Sequence, residues 1–418
     1  MIDLLLRDVV TSGATDRVSV AVDDGRILAV GADLDYPARM EVEGQGHYLS
    51  PGFVESHLHL DIALSNDAGQ PGRPEAFVSM AGLNAAIESR RRSFTHEEIV
   101  RRASAALELG LRHGTTALRA HCHLDTDIGL RHIEALQEVK ESFRDVVTLQ
   151  IVAFPQQGLL RHPATLDLFR EAFRCGADIV GAAPNIESER PFQEHIDAAF
   201  RLALELDRDI DIHADLPLKS FAALDDLEVV HIARRTLEYG YQGRVTVGHV
   251  CTLDSAPPEV AAEAIGLIKE ADISVISQPD LYRLGREDTQ HVRRGLTRVK
   301  EMLAAGVNVT YASNNVRDAL RPLGNMDLLE EALILAYGAH MDTVEQLETL
   351  MRMSTYHAAR ALSLQNYGLA PGNAADLVLF NAPSASAAIA GQVEKLYVFK
   401  AGKLRACTQP GQTKTYLA

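Results

Sequence analysis

Tryptophan is absent from the 418 residues, and cysteine is scarce. The four cysteines, Cys122, Cys175, Cys251 and Cys407, lie far apart without CxxC spacing. That excludes a zinc–cysteine signature and a disulfide framework, and it fits a reducing cytoplasm. No apolar run approaches the ~20 residues a membrane-spanning helix needs, and Met1-Ile2-Asp3 lacks the basic start of a signal peptide. Positive charge is also short: 41 Lys and Arg face 57 Asp and Glu, a net charge of -16. This argues against a nucleic-acid or anionic-membrane partner, and the excess is read simply as solubility.

What is present is ample core material, 46% hydrophobic, enough for one large domain or a large one with a small one. The first fifty residues read as short strands: Leu4-Leu5-Leu6, Val18 to Val22, then Arg26 to Val30, with Asp24-Gly25 as a hairpin signal between alternating runs. Residues Ala375 to Phe380 and Lys395 to Lys403 look alike, so both ends are β-rich. Between them apolar strands alternate with amphipathic helices. Candidate strands end near His57, His121, Phe154, Pro184, His213, His249, Gln278 and Asn314. Thr95-His96-Glu97-Glu98 is a capping box for a helix that Gly114 closes, and Pro257-Pro258-Glu259 marks another helix start. Eight such units predict an α/β protein with a (β/α)8 barrel over 51–365, and a small β domain from 1–50 plus 366–418. A doubly wound open sheet is the alternative.

Residues 53–61 read FVESHLHLD. Along a strand, i and i+2 point the same way, so His57 and His59 converge on one point. A lone strand-end histidine usually just bonds a carbonyl, whereas a same-side pair suits a metal, since neutral imidazole is the commonest metal ligand. In a barrel the loops after the strands form the active face. Five of the 16 histidines, His57, His59, His121, His213 and His249, fall at predicted strand ends. That favours a metal site over core filling. Cys122, between His121 and His123, is expected to be a buried structural thiol.

PGFVESHLHLD, LQIVAFPQQG (149–158), DIDIHAD (209–215), RVTVGHV (244–250), GLTRVKEML (295–303) and the late ADLVLF occur in order along nearly the whole chain. With these motifs the chain resembles the amidohydrolase superfamily, near its cytosine deaminases and N-isopropylammelide amidohydrolases. The resemblance implies a distorted (β/α)8 barrel plus a β-sandwich built from both termini. It also implies one divalent metal, zinc or iron, held by His57, His59 and His213. His249 would hydrogen-bond the attacked group or the hydrolytic water. Gln156 would bind the amide edge of a small heterocyclic substrate, Asn315 is expected to face it too, and a homo-oligomer is expected. Such a metal makes hydroxide available near neutrality, and a carboxylate must then pass a proton to the leaving nitrogen.

Two carboxylates of that pattern are missing. Where cytosine deaminases carry His-x-Asp-Glu, this chain has His213-Ala214-Asp215-Leu216, and Leu216 can move no proton. Asp215, two residues after His213, is expected to face the same side, either as the acid/base or orienting a metal-bound histidine. At the strand-eight position of a metal-binding Asp stands Asn314, whose amide is a weak neutral ligand and no base. A three-histidine site with weakly held metal, a metal-free descendant, and an engineered Asp-to-Asn change all stay open. Leu320 replaces a Trp of cytosine deaminases, which speaks against cytosine itself. The leading expectation is a hydrolase of a C–N bond in a small nitrogen heterocycle or cyclic amide. The alternatives are metal-independent hydrolase or lyase chemistry on Asp215 and His249, or a non-catalytic binding protein.

Overall fold

The computed structural model describes residues 1–13, 16–66, 80–186, 191–216, 223–278 and 295–411. Eight parallel strands form its centre: Phe53–Leu58, Thr115–His123, Thr148–Phe154, Ile179–Ala182, Ile210–Ala214, Val245–His249, Ser274–Ser277 and Asn308–Tyr311. They are named here barrel strands one to eight. Each pairs with the next in sequence, as in His213 opposite Gly248 and Ala214 opposite His249. Nearly every residue in them is buried, as expected where helices cover one face and packed side chains fill the other. The sheet closes where Asn314 N–H donates to His57 O and His59 N–H to Asn314 O, each at 2.9 Å. Closure therefore runs through the predicted site, and all eight C-terminal ends share one rim.

The helices follow the sequence signals. His96–Arg112 opens with Thr95 Oγ1 accepting Glu98 N–H at 3.2 Å, and it turns its buried stripe, Ile99, Ala103, Ala106 and Leu107, into the main core. Gly114 follows with φ of 93°, a left-handed backbone that glycine adopts without strain. Pro258–Glu270 carries its proline in the first turn, where no backbone N–H is lost from the helix.

Both ends of the chain supply a second layer. One sheet runs in the order Arg26–Gly31, Val18–Asp23, Ile2–Val9, Ala38–Glu43; the other runs Lys403–Cys407, Lys395–Lys400, Leu377–Phe380, Leu49–Pro51. Asp24 and Gly25 both have positive φ, 48° and 73°, the pair of values a two-residue hairpin requires. Alternate residues of the two sheets, Leu4, Leu6, Val20, Val22, Leu49, Leu377, Leu379 and Phe399, meet in one buried cluster. Strand one starts two residues after Pro51, so this layer anchors the base of the barrel.

Candidate metal centre and active site

The imidazoles of His57, His59, His213 and His249 gather at the rim. One ring nitrogen each from His57, His213 and His249 lies within 4.8 Å of the others. His59 Nε2 approaches His213 Nε2 to 3.3 Å. Two nitrogens on one tetrahedral ion at ~2.0–2.1 Å would be separated by about 3.3–3.4 Å. His57 and His59 are buried, with both ring nitrogens of His57 and Nδ1 of His59 lacking a hydrogen-bond partner among the described residues. Burial, reinforced by the neighbouring imidazoles, holds both well below the usual histidine pKa. They are therefore neutral, the form that ligates metal. Unpartnered buried nitrogens, neutrality and spacing together fit a divalent ion.

Carboxylates stand behind these rings. His121 stacks on His57, ring centroids 3.6 Å apart, and its Nε2 lies 3.1 Å from Asp211 Oδ1. Arg119 Nη1 donates to Asp211 Oδ2 at 2.9 Å. Burial alone would raise Asp211, but His121 and Arg119 outweigh it and hold the carboxyl at about 2. Asp61 Oδ2 lies 2.8 Å from His123 Nδ1 and 2.6 Å from His132 Nδ1. These partners overcome its burial too, keeping it well below the usual carboxylate range. Glu55 accepts the N–H of His57 and Ser313, each at 3.2 Å, and burial pushes it up to about 7.

Several of these residues were not singled out in the sequence. Asp61, Asp211 and Glu55 lie two residues from histidines already chosen, so the same i, i+2 rule could have found them. His123 could have been found from His121 in the same way. Arg119, two residues before His121, carries the same signal, whereas His132 carries none.

The predicted residues divide. His57, His59, His213 and His249 come together, and Asn314 adjoins them through its backbone. Asp215 requires a correction. Strand five ends at Ala214, and Asp215 has φ of 50°, so the alternation that would align it with His213 has already stopped. Its two carboxylate oxygens accept the N–H groups of Glu228 and Val229, both at 2.9 Å, at the start of helix Glu228–Glu238. That is the post of a helix cap. Asn315 donates through Nδ2 to Asp318 at 2.7 Å, and its Oδ1 is buried without a partner among the described residues. Gln156 is half-buried in the turn after strand three, and no hydrogen bond joins it to the histidines; Phe154, two residues earlier, packs on His213 at 4.3 Å.

A closed eight-stranded barrel with a histidine cluster at its C-terminal rim defines a barrel hydrolase of the metal-centred kind. Residues 81–404 match the model of the amidohydrolase family, and the chain belongs to that family. It is 30% identical over 410 residues to N-isopropylammelide isopropyl amidohydrolase of Pseudomonas sp. (strain ADP), covering 96% of each chain. It is 29% identical to the pterin deaminase of Rhizobium rhizogenes, over 93% of this chain and 87% of that one. The structure of 5-methylcytosine deaminase from Klebsiella pneumoniae liganded with phosphonocytosine superposes with a TM-score of 0.91 at 28% identity, covering 98% of this chain and 100% of that one. The chain is thus a hydrolase of carbon–nitrogen bonds other than peptide bonds.

Proposed function

We propose that this enzyme hydrolyses a C–N bond of a small, neutral nitrogen heterocycle or cyclic amide. His57, His59 and His213 would hold one divalent ion, zinc or iron. The observation that carries this is the 3.3 Å approach of His59 Nε2 to His213 Nε2, with His57 and His249 in the same cluster. The relatives' named substrates, an ammelide, a pterin and a methylcytosine, support the substrate class. When bound, the ion supplies positive charge that polarises the substrate and acidifies water.

The chain's own residues do the rest. His249 faces the attacked group and hydrogen-bonds it. Gln156, with one acceptor and two donors, pairs with the lactam-like edge of the ring, and Asn315 lines the same side. Asn314 packs beside the histidines without charge, so the ion is held more weakly than with a carboxylate there. Asp215, engaged as a helix cap, is left out of proton transfer, and His249 is the proton carrier in its place. No helix among the described residues is long and apolar enough to cross a membrane. Four free cysteines fit the cytoplasm proposed for the enzyme, which we expect to work as a homo-oligomer.

The test combines elemental analysis with a turnover screen over cytosine, isocytosine, ammelide, creatinine and hydantoin. Bound zinc or iron with hydrolysis of any of these compounds, seen as released ammonia or amine or as a ring-opened acid, supports the reading. A chain that takes up neither metal and turns over none of them contradicts it.

A further inference from the structure

His249 has φ of 74°, and Val250 follows it into the left-handed region at 52°. Such backbone costs on the order of 1–3 kcal/mol per non-glycine residue and is least tolerated by a β-branched one, so the surroundings must hold it. Its effect on the site is direct. Gly248 faces the barrel interior: a Cβ there would meet His57 Cε1 at 3.3 Å and Gln278 Nε2 at 2.9 Å. In extended backbone the next residue, His249, would point outward. The left-handed turn brings its ring instead to 5.0 Å from His213 and 5.8 Å from His57.

Backbone N–H groups make three of the contacts that hold the turn. Val250 N–H donates to Ala214 O at 2.9 Å, and Thr252 N–H donates to Asp215 O at 2.9 Å. Both act beyond His249. The third grips His249 itself: its N–H donates to Gln278 Oε1 at 2.6 Å. Gln278 follows barrel strand seven and is buried. A backbone N–H can only donate, so the amide oxygen must face it, which fixes the orientation of the side chain. The missing side chain of Gly248 makes the room in which that amide sits.

We propose that Gln278 is the positioning residue for His249, holding it in the left-handed turn that aims its imidazole at the substrate. The inference rests on the reading of His249 as the group facing the attacked atom. A glutamate at 278 keeps an acceptor for His249 N–H, whereas a leucine of similar size does not.

The test uses the full chain with Gln278→Leu and Gln278→Glu. It reads hydrogen exchange in a peptide spanning 245–253, and steady-state kinetics on whichever cyclic amide the parent turns over. In Gln278→Leu, exchange in that peptide should rise and kcat fall, each by about 10-fold, with KM changed by less than roughly 3-fold. Gln278→Glu should restore both protection and kcat to within about 3-fold of the parent. Parent-like exchange in Gln278→Leu overturns the proposal. So does exchange that rises throughout the barrel, or a Gln278→Glu variant as exposed as Gln278→Leu. If the parent turns over none of the compounds, the functional reading fails and the exchange results alone decide the role of Gln278.

Discussion

His59, directly after barrel strand one, and His213, in strand five, lie across the barrel from one another, yet their Nε2 atoms are 3.3 Å apart. Burial and neighbouring imidazoles keep His59 neutral. Two facing ring nitrogens in a dry setting must share either one proton or one ion. His213→Ala removes half of that pair, and zinc affinity, measured by competition with a chelator, should fall by more than the roughly 10–100-fold lost on mutating groups that only brace metal ligands. Unchanged affinity would place the ion elsewhere.

Asn314 is bonded through its backbone to both His57 and His59. Asn314→Asp adds a negative charge beside the ion without disturbing those backbone bonds. Zinc retention should increase on the order of 10-fold, and turnover should rise as well. Loss of an activity present in the parent would mean that the asparagine amide itself is needed.

Asp215 is predicted to matter for stability. Its carboxylate takes two N–H groups at the start of helix Glu228–Glu238. Asp215→Ala should destabilise the fold by about 0.5–2 kcal/mol, the usual loss on removing such a cap, seen as a lower denaturation midpoint. If Asp215 were instead a proton shuttle, Asp215→Asn would abolish turnover while leaving stability intact, and that result would return it to the catalytic machinery.

Gln156→Ala should weaken binding of the cognate ring compound by roughly 1–3 kcal/mol, because a polar edge of the ligand is left unpaired. Calorimetric titration measures this directly. An unchanged dissociation constant would remove Gln156 from the binding surface.

Glu55 gives the metal-free protein a pH dependence. Burial raises its folded-state pKa from 4.5 to about 7. Between those values the folded chain keeps a proton that the unfolded chain has lost, so stability falls as pH rises through this window. The contribution is roughly 2–3 kcal/mol across the window. Chemical denaturation at pH 4.5 and 7.5 should register it as a shallower dependence in Glu55→Gln than in the parent, the remaining slope including that of Glu331, which burial raises to about 8. An equally steep dependence in Glu55→Gln would assign the effect to another group.

The barrel was legible because its strands are apolar throughout and its helices carry their own start signals at Thr95 and Pro258. Strand alternation made His57 legible inside strand one, and His59 one residue past its end, where the backbone stays bonded to Asn314 across the closing seam. The same rule failed at Asp215, where the strand had ended and the backbone had turned left-handed. His121 stacked on His57 and Asp61 between His123 and His132 depend on register across strands and on a helix some seventy residues away, which no local pattern encodes. Gln278 was invisible for a simpler reason: it bonds a backbone N–H, and every residue but proline has one.

His57, His59 and His213 are proposed to hold one catalytic ion. Anomalous scattering from crystals of the zinc-loaded protein, recorded at the zinc edge, tests it most directly. One peak is expected at the barrel rim, with a nitrogen of each of these three histidines at about 2.0–2.3 Å. A zinc-loaded crystal with no peak there, or with its peak on other residues and these imidazoles unliganded, would contradict it.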